Sequence, residues 1–219
     1  MSSLWSLALA AGLAGALAIW GKHPGRMWVH FVCKPLTLLV IIGITVYWPT
    51  RLSPLAYAVL LVALGLSCLG DVALMFARAP LVLGLAIFLA AHVAYVVTFS
   101  LGVAWAPGQL VWLALPLVIA GLVLRSLWPH LGRLRAPVAV YVGVLVLVVW
   151  RLWSRFDLRA EIGAAAWLEG GLGALLFMAS DSLLARRRLA HRPVPYALEL
   201  GCYFVAQWCM CQSTWQSIG

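Results

Sequence analysis

Four carboxylates lie inside long apolar stretches of this 219-residue chain: Asp71, Glu169, Asp181 and Glu199. An ionised side chain at mid-bilayer costs about 2.5–3.5 kcal/mol on insertion scales, so each calls for a partner or a task. Glu169 and Glu199 fall near the starts of their stretches. There Glu169 reads as interfacial and Glu199 first as structural. Asp71, within Ser67-Cys68-Leu69-Gly70-Asp71, and Asp181, within Met178-Ala179-Ser180-Asp181, fall late in theirs. Two such groups held together suit acid–base chemistry, one donating a proton and the other activating water. In a low-dielectric setting two neighbouring carboxyls carry one negative charge more readily than two. Other chemistries have less behind them. The five histidines form no HExxH or comparable cluster, and the five cysteines show neither metal-ligand spacing nor a disulfide framework, so no metal and no cofactor are expected. No GxSxG elbow offers a serine nucleophile.

The elements that must position these groups are membrane helices. With 65% hydrophobic residues, 10% charged residues and a mean hydropathy of +1.03, the chain has more apolar surface than a soluble core could hide, since soluble domains carry about 25% charge. Apolar blocks at 4–20, 30–48, 55–76, 81–103, 110–127, 134–153, 164–185 and 194–213 each approach the ~20 residues needed to cross a bilayer. The prediction is an all-α, polytopic bundle of about eight transmembrane helices, forming one integral membrane domain over residues 1–219. The formal charge of +9 does not point to nucleic acid, because the bases sit at block ends and form no stripe interleaved with exposed aromatics. Eleven of them flank the loops after blocks one, three, five and seven, among them Lys22, Lys34, Arg78 and Arg186 to Arg188. Only Arg51, Arg151, Arg155 and Arg159 flank the others. By the positive-inside rule the first set faces the cytoplasm and both termini face out. Trp20, Trp28, Trp48, Trp105, Trp128, Trp150 and Trp153 fall near block ends, as an interfacial aromatic belt requires.

Asp71 and Asp181 are 110 residues and four crossings apart. An even number of crossings makes their helices parallel, so both carboxylates approach the same membrane face. The block after each carries polar groups on one helical face: His92 and Tyr95 after Asp71, Tyr203 and Gln207 after Asp181. This spacing suggests two parallel four-helix repeats, although two helix pairs can also converge on such residues independently. Packed inward, these stripes would line a polar cavity in an apolar shell. The plainer alternatives are interhelical hydrogen bonds for His92, Tyr95 and Tyr203, and ion pairs of either aspartate with Arg78 or the 186–188 run. Lys34, followed by Pro35, reads equally as an interface marker or as a ligand for a lipid phosphate.

The combination Lys34-Pro35, Ser67-x-x-Gly70-Asp71-x-x-Leu74-Met75, Gly84, Phe88, His92, Tyr95, Gly173-Ala-Leu-Leu-Phe177-x-x-Ser180-Asp181, Tyr203 and Gln207 resembles the YhhN family of multi-span membrane proteins. Between about residues 101 and 167 the resemblance is carried only by Tyr141 and Arg151, and the tail departs from it at Cys209-Met-Cys211 and Trp215. The family's characterised members are lysoplasmalogenases. The resemblance therefore implies hydrolysis of the vinyl ether bond of a lysoplasmalogen to a fatty aldehyde and glycerophosphocholine or glycerophosphoethanolamine, with Asp71 and Asp181 catalytic. Lys34, Ser67, His92, Tyr95, Ser180, Tyr203 and Gln207 would then contact the substrate, Lys34 at its phosphate. The partners implied are a lysophospholipid, water and membrane lipid, and the setting a multi-pass protein of a bacterial inner membrane. Two alternatives stay open at this stage. One is an intramembrane aspartyl protease, for which Leu69-Gly70-Asp71 is half a signature without its Tyr-Asp partner. The other is a proton-coupled transporter, which would use the paired aspartates as proton carriers.

Overall fold

The computed structural model of the chain describes residues 2–76 and 81–216; Arg78, one of the cations considered as an aspartate partner, lies outside them. The helices are α1 (Ser2–Trp20), α2 (Met27–Tyr47), α3 (Pro54–Met75), α4 (Leu81–Ser100), α5 (Ala114–Leu127), α6 (Arg135–Trp153), the short α7 (Arg159–Ile162), α8 (Ala164–Leu189) and α9 (Tyr196–Gln212). No strand occurs among the described residues; a single antiparallel bridge joins Thr50 to Trp215. Every predicted apolar block coincides with a helix. Six segments are long and apolar enough to cross a membrane: Met27–Tyr47, Pro54–Met75, Leu81–Ser100, Pro107–His130, Gly132–Ile162 and Ala164–Leu189. The first and last helices are shorter, and α9 carries Glu199 in its first turn.

Local chemistry sets several boundaries. Pro54 opens α3 at a position where its missing N–H is not needed, and the Ser53 side chain accepts from the Ala56 N–H at 3.3 Å. The fifth apolar block starts as a 3-10 segment, Pro107–Leu113, before α5 takes over. The stretch after the sixth, expected to be a loop, winds on instead through the 3-10 turn Ser154–Leu158 and α7, and the chain reverses at Gly163 with φ +91°. A left-handed residue there has no Cβ to clash.

The bundle has the inverted surface of a membrane protein: Leu9, Val62 and Leu122 are more than half exposed, while Lys34, Asp71, His92, Asp181 and Gln207 are buried. Two helix pairs, α3 with α4 and α8 with α9, pack most extensively. Small residues let them approach. A Cβ on Gly84 would come within 2.3 Å of the Leu74 side chain, and one on Gly70 within 2.7 Å of the Phe88 ring. One on Gly173 would lie 2.9 Å from Cys209 and 3.1 Å from the Ala206 carbonyl oxygen. Close backbone approach replaces the hydrophobic driving force that lipid cannot supply.

At one end of the bundle Trp112, Trp153, Phe156 and Trp167 form an aromatic cluster with ring centroids 5.0–5.8 Å apart. The unusual tail finds its role near Thr50. Trp215 packs edge-on against Trp208 at 5.3 Å, and the Arg51 and Gln216 N–H groups donate to the Thr214 and Pro49 carbonyls at 2.8 and 2.9 Å. The loop between α2 and α3 is thereby tied to the end of α9. The polar side chains gather at the other end.

Candidate active site

There α2, α3, α8 and α9 converge, and the chain between α1 and α2 joins them. Asp71, in the last turn of α3 and 2% exposed, accepts a hydrogen bond at Oδ1 from the Lys34 ammonium of α2 at 2.8 Å. Among the described residues, neither its Oδ2 nor the buried Tyr203 hydroxyl of α9 makes a hydrogen bond of good geometry. Both residues line one small cavity of about 30 Å³, room for roughly one water molecule. A buried acceptor and a buried hydroxyl left open beside such a space are suited to hold water or a ligand group.

Asp181, 7% exposed, lies on the same cavity and, among the described residues, has no lysine or arginine within ion-pair distance. Its Oδ2 accepts from the Tyr141 hydroxyl of α6 at 2.6 Å. His92 Nε2 lies 3.3 Å from the same oxygen, off the line a hydrogen bond needs. The imidazole is wedged against Phe177, at 4.8 Å, and the edge of Tyr141, at 5.1 Å. The two aspartates are held separately, by different partners, yet line one cavity.

Around them the polar groups fall into two layers. Ser180 lines the cavity and donates to the Glu199 carbonyl at 2.9 Å, clamping α8 to α9. Glu199 is a structural partner: Arg187 grips it through two hydrogen bonds of 2.7 Å. His30 presents Nδ1 to the Ala18 carbonyl at 2.8 Å, so in the neutral ring Nε2 accepts from the Tyr196 hydroxyl at 3.1 Å. Deeper in the bundle, Tyr95 donates to Gln207 Oε1 at 2.5 Å, and Ser67 donates to the Ala63 carbonyl at 2.9 Å.

Of the residues expected from sequence, Asp71, Asp181, Lys34, Ser180 and Tyr203 thus share one cavity, while His92, Tyr95, Gln207 and Ser67 stand behind it. Lys34 is committed to Asp71. Tyr141 enters as a direct partner of Asp181; it is the lone hydroxyl in the valine-rich run from Val138 to Val149, a signal the sequence did contain. Lys22, His30 and Tyr196 gave no comparable signal, because bases and aromatics near helix ends already had an interfacial explanation. Among the described residues, no group of three His, Cys, Asp or Glu side chains is placed to hold a metal ion.

A second, apolar cavity of about 240 Å³ runs between α4, α5, α6 and α8, walled by residues such as Leu85, Leu127, Val138 and Leu145. Asp181, Leu184 and Arg188 border both spaces. Asp181 therefore stands where a polar chamber meets an apolar groove.

Fold and site define an integral, multi-pass helical membrane protein with a carboxylate-lined polar chamber at one end of its bundle. The chain belongs to the YhhN family, whose sequence profile matches residues 29–214. It is 26% identical over 214 residues to a protein of Escherichia coli O6:H1 named as an uncharacterised membrane protein, YhhN, covering 96% of this chain and 98% of that one. It is 32% identical over 192 residues to human lysoplasmalogenase TMEM86B, with 86% of this chain and 76% of the human protein covered. With bovine lysoplasmalogenase TMEM86A it shares 33% identity over 153 residues, which cover 67% of this chain and 60% of the bovine one. No solved structure is a significant match.

Proposed function

We propose that this protein is a lysoplasmalogenase-type hydrolase, cleaving the vinyl ether bond of a lysoplasmalogen with Asp71 and Asp181 as its acid–base groups. The observation that carries the reading is the position of Asp181 on the border between a polar chamber and an apolar groove. A lysoplasmalogen changes from hydrocarbon to polar glycerol at the bond to be broken. Its alkenyl chain suits the groove and its polar end the chamber side of Asp181, where the space of about 30 Å³ must widen to admit a glycerophospho-base. The lysoplasmalogenase relatives support the substrate class.

In this mechanism Asp181 delivers a proton to the β-carbon of the vinyl ether, leaving an oxocarbenium ion at the carbon bonded to oxygen, much as in glycoside cleavage. Asp71 accepts a proton from water, and the water oxygen bonds to that carbon. The resulting hemiacetal gives its hydroxyl proton to the Asp181 carboxylate and expels the glycerol oxygen, which takes the proton held by Asp71, giving the aldehyde and the glycerophospho-base. One water is consumed and both aspartates return to their starting states. The partners favour this assignment. Lys34 stabilises Asp71 as an anion able to take a proton, and Asp71 Oδ2 with the Tyr203 hydroxyl offers a seat for water. Asp181 has the Tyr141 hydroxyl instead of a cation and faces the groove. His92, Tyr95 and Gln207 position these groups from behind.

We further read α1 and α9 as crossings, which makes eight in all, with the chamber at the cytoplasmic face of a bacterial-type inner membrane. The clustering of Lys22, Arg187 and Arg188 at the chamber end supports that orientation. The counterpart placement of Asp71 on α3 and Asp181 on α8 is what two parallel four-helix repeats would produce. The test of the activity is aldehyde release from lysoplasmenyl-ethanolamine by the detergent-purified protein, beside its D71N and D181N variants. Release by the parent and by neither variant is expected. A folded parent that releases no aldehyde would overturn the reaction, and unchanged release by either variant would overturn the mechanism.

A further inference from the structure

The charges lining the polar chamber do not balance. Lys34 is paired with Asp71 and Arg187 with Glu199, and Asp181 is held by a neutral tyrosine. Lys22 and Arg188 also line the chamber, and among the described residues neither has a carboxylate within ion-pair distance. Lys22 comes from the chain between α1 and α2 and lies over the Tyr196 ring at 4.8 Å. Arg188 comes from the last turn of α8 and donates to the Leu74 carbonyl at 3.1 Å, so its contact is with a neutral acceptor. Arg187 stacks on Tyr196 from its own position, at 5.1 Å. Burial, followed by the charges of Arg187, Lys34 and Arg188, lowers the pKa of the Lys22 ammonium below the ordinary lysine value. The positive-inside rule accounts for exposed cations such as Arg186 and Arg192; Arg188 is exposed as well but also lines the chamber. The rule does not account for a half-buried lysine turned toward other cations.

We propose that Lys22 and Arg188, backed by Arg187, form the subsite for the phosphodiester of a lysophospholipid head group. The inference rests on the lipid-hydrolase reading and deepens it, giving the phosphate to residues other than Lys34, which Asp71 occupies. The order of the spaces matches the order of groups in such a lipid: hydrocarbon in the groove, the ether at Asp181, and the phosphate on the polar side, at the cations that rim the chamber. Arg188 borders both spaces and presents a planar fork suited to two phosphate oxygens, while Lys22 supplies a point charge from the chain between α1 and α2.

The test compares two vinyl ethers, lysoplasmenyl-ethanolamine and the phosphate-free 1-alkenylglycerol, on the full-length protein and its K22Q, R188Q and K22Q/R188Q variants, with K22R and R188K as charge-preserving controls. Each neutral single variant should raise KM for the phospholipid by about 10-fold, the double variant further. KM should move more than kcat, and 1-alkenylglycerol should be much less affected. The same change on both substrates, or on neither, would overturn the subsite. A binding arm needs no turnover and uses the ester lipid lysophosphatidylethanolamine and inorganic phosphate as probes. Tight binding of the lysolipid that weakens in the double variant sustains the subsite even if no vinyl ether is cleaved. Lysolipid binding unchanged in the double variant, or inorganic phosphate bound as tightly as the lysolipid, would overturn it.

Discussion

Asp71 and Asp181 occupy matching places, each late in the first helix of a tightly packed pair, yet their surroundings differ. Asp71 on α3 is held by a lysine from α2, and its other oxygen makes no hydrogen bond of good geometry among the described residues. Asp181 on α8 is held by a tyrosine from α6, with an imidazole 3.3 Å away that is hemmed in by aromatic rings. Two carboxylates of equal rank could share one role. These two are biased apart, because an ammonium stabilises the anion whereas a phenol serves a carboxylate or a carboxylic acid. The asymmetry comes from α2 and α6, outside the two helix pairs.

The comparison can be broken most sharply at the carboxylates. D71N and D181N should each lower aldehyde release by at least about 100-fold, the scale of a lost general acid or base, while the proteins still extract with the membrane fraction. Next comes the cation. K34M leaves a buried carboxylate without its counter-charge and should destabilise the protein by about 3–5 kcal/mol. Thermal unfolding in detergent should show much of that loss recovered in K34M/D71N, whereas K34M beside D181N should recover nothing comparable. Recovery in both doubles would mean that Lys34 serves the two carboxylates alike. At Asp181, Y141F removes one hydrogen bond to a carboxyl group and should reduce kcat by about 10-fold or more, with KM nearly unchanged; a change confined to KM would place Tyr141 on the substrate instead. The smallest effects lie in the packing of the two pairs. G173A and G84A should each cost about 1–3 kcal/mol. The larger loss is expected at Gly173, where the neighbours include a backbone carbonyl that cannot swing away, whereas the Leu74 side chain facing Gly84 can.

How far the site was legible follows from what each residue contradicts. Asp71 and Asp181 stood out because a carboxylate in an apolar helix violates the solvent preference of its surroundings. Tyr203 and Gln207 stood out by helical spacing, although only Tyr203 reaches the chamber. Lys34 was visible, but its partner was not: a lysine near a helix start fits an interface as well as a buried pair until the packing of α2 on α3 is known. Lys22 and Arg188 were absorbed into the charge bias that orients the chain, since charge counts record which side a base is on and not which way it points. In the fold, the expected loop after the sixth apolar block proved helical. Its mixed sequence lacks the apolar periodicity that marks a span, and short helical turns need little of it.

Composition and hydropathy by themselves determined that this chain lives in lipid as a row of helices, because backbone polar groups in hydrocarbon must be satisfied within each segment. Parity of crossings predicted that the two aspartates share a membrane face, and chemistry limited what a pair of buried carboxyls could do. Only tertiary structure decided that α2 supplies a cation to one aspartate and α6 a hydroxyl to the other, and that an apolar groove opens beside Asp181 and not Asp71. Those outcomes depend on which helix faces meet, and in lipid that is decided by small residues and buried polar contacts between helices, which the order of residues along any one helix does not reveal.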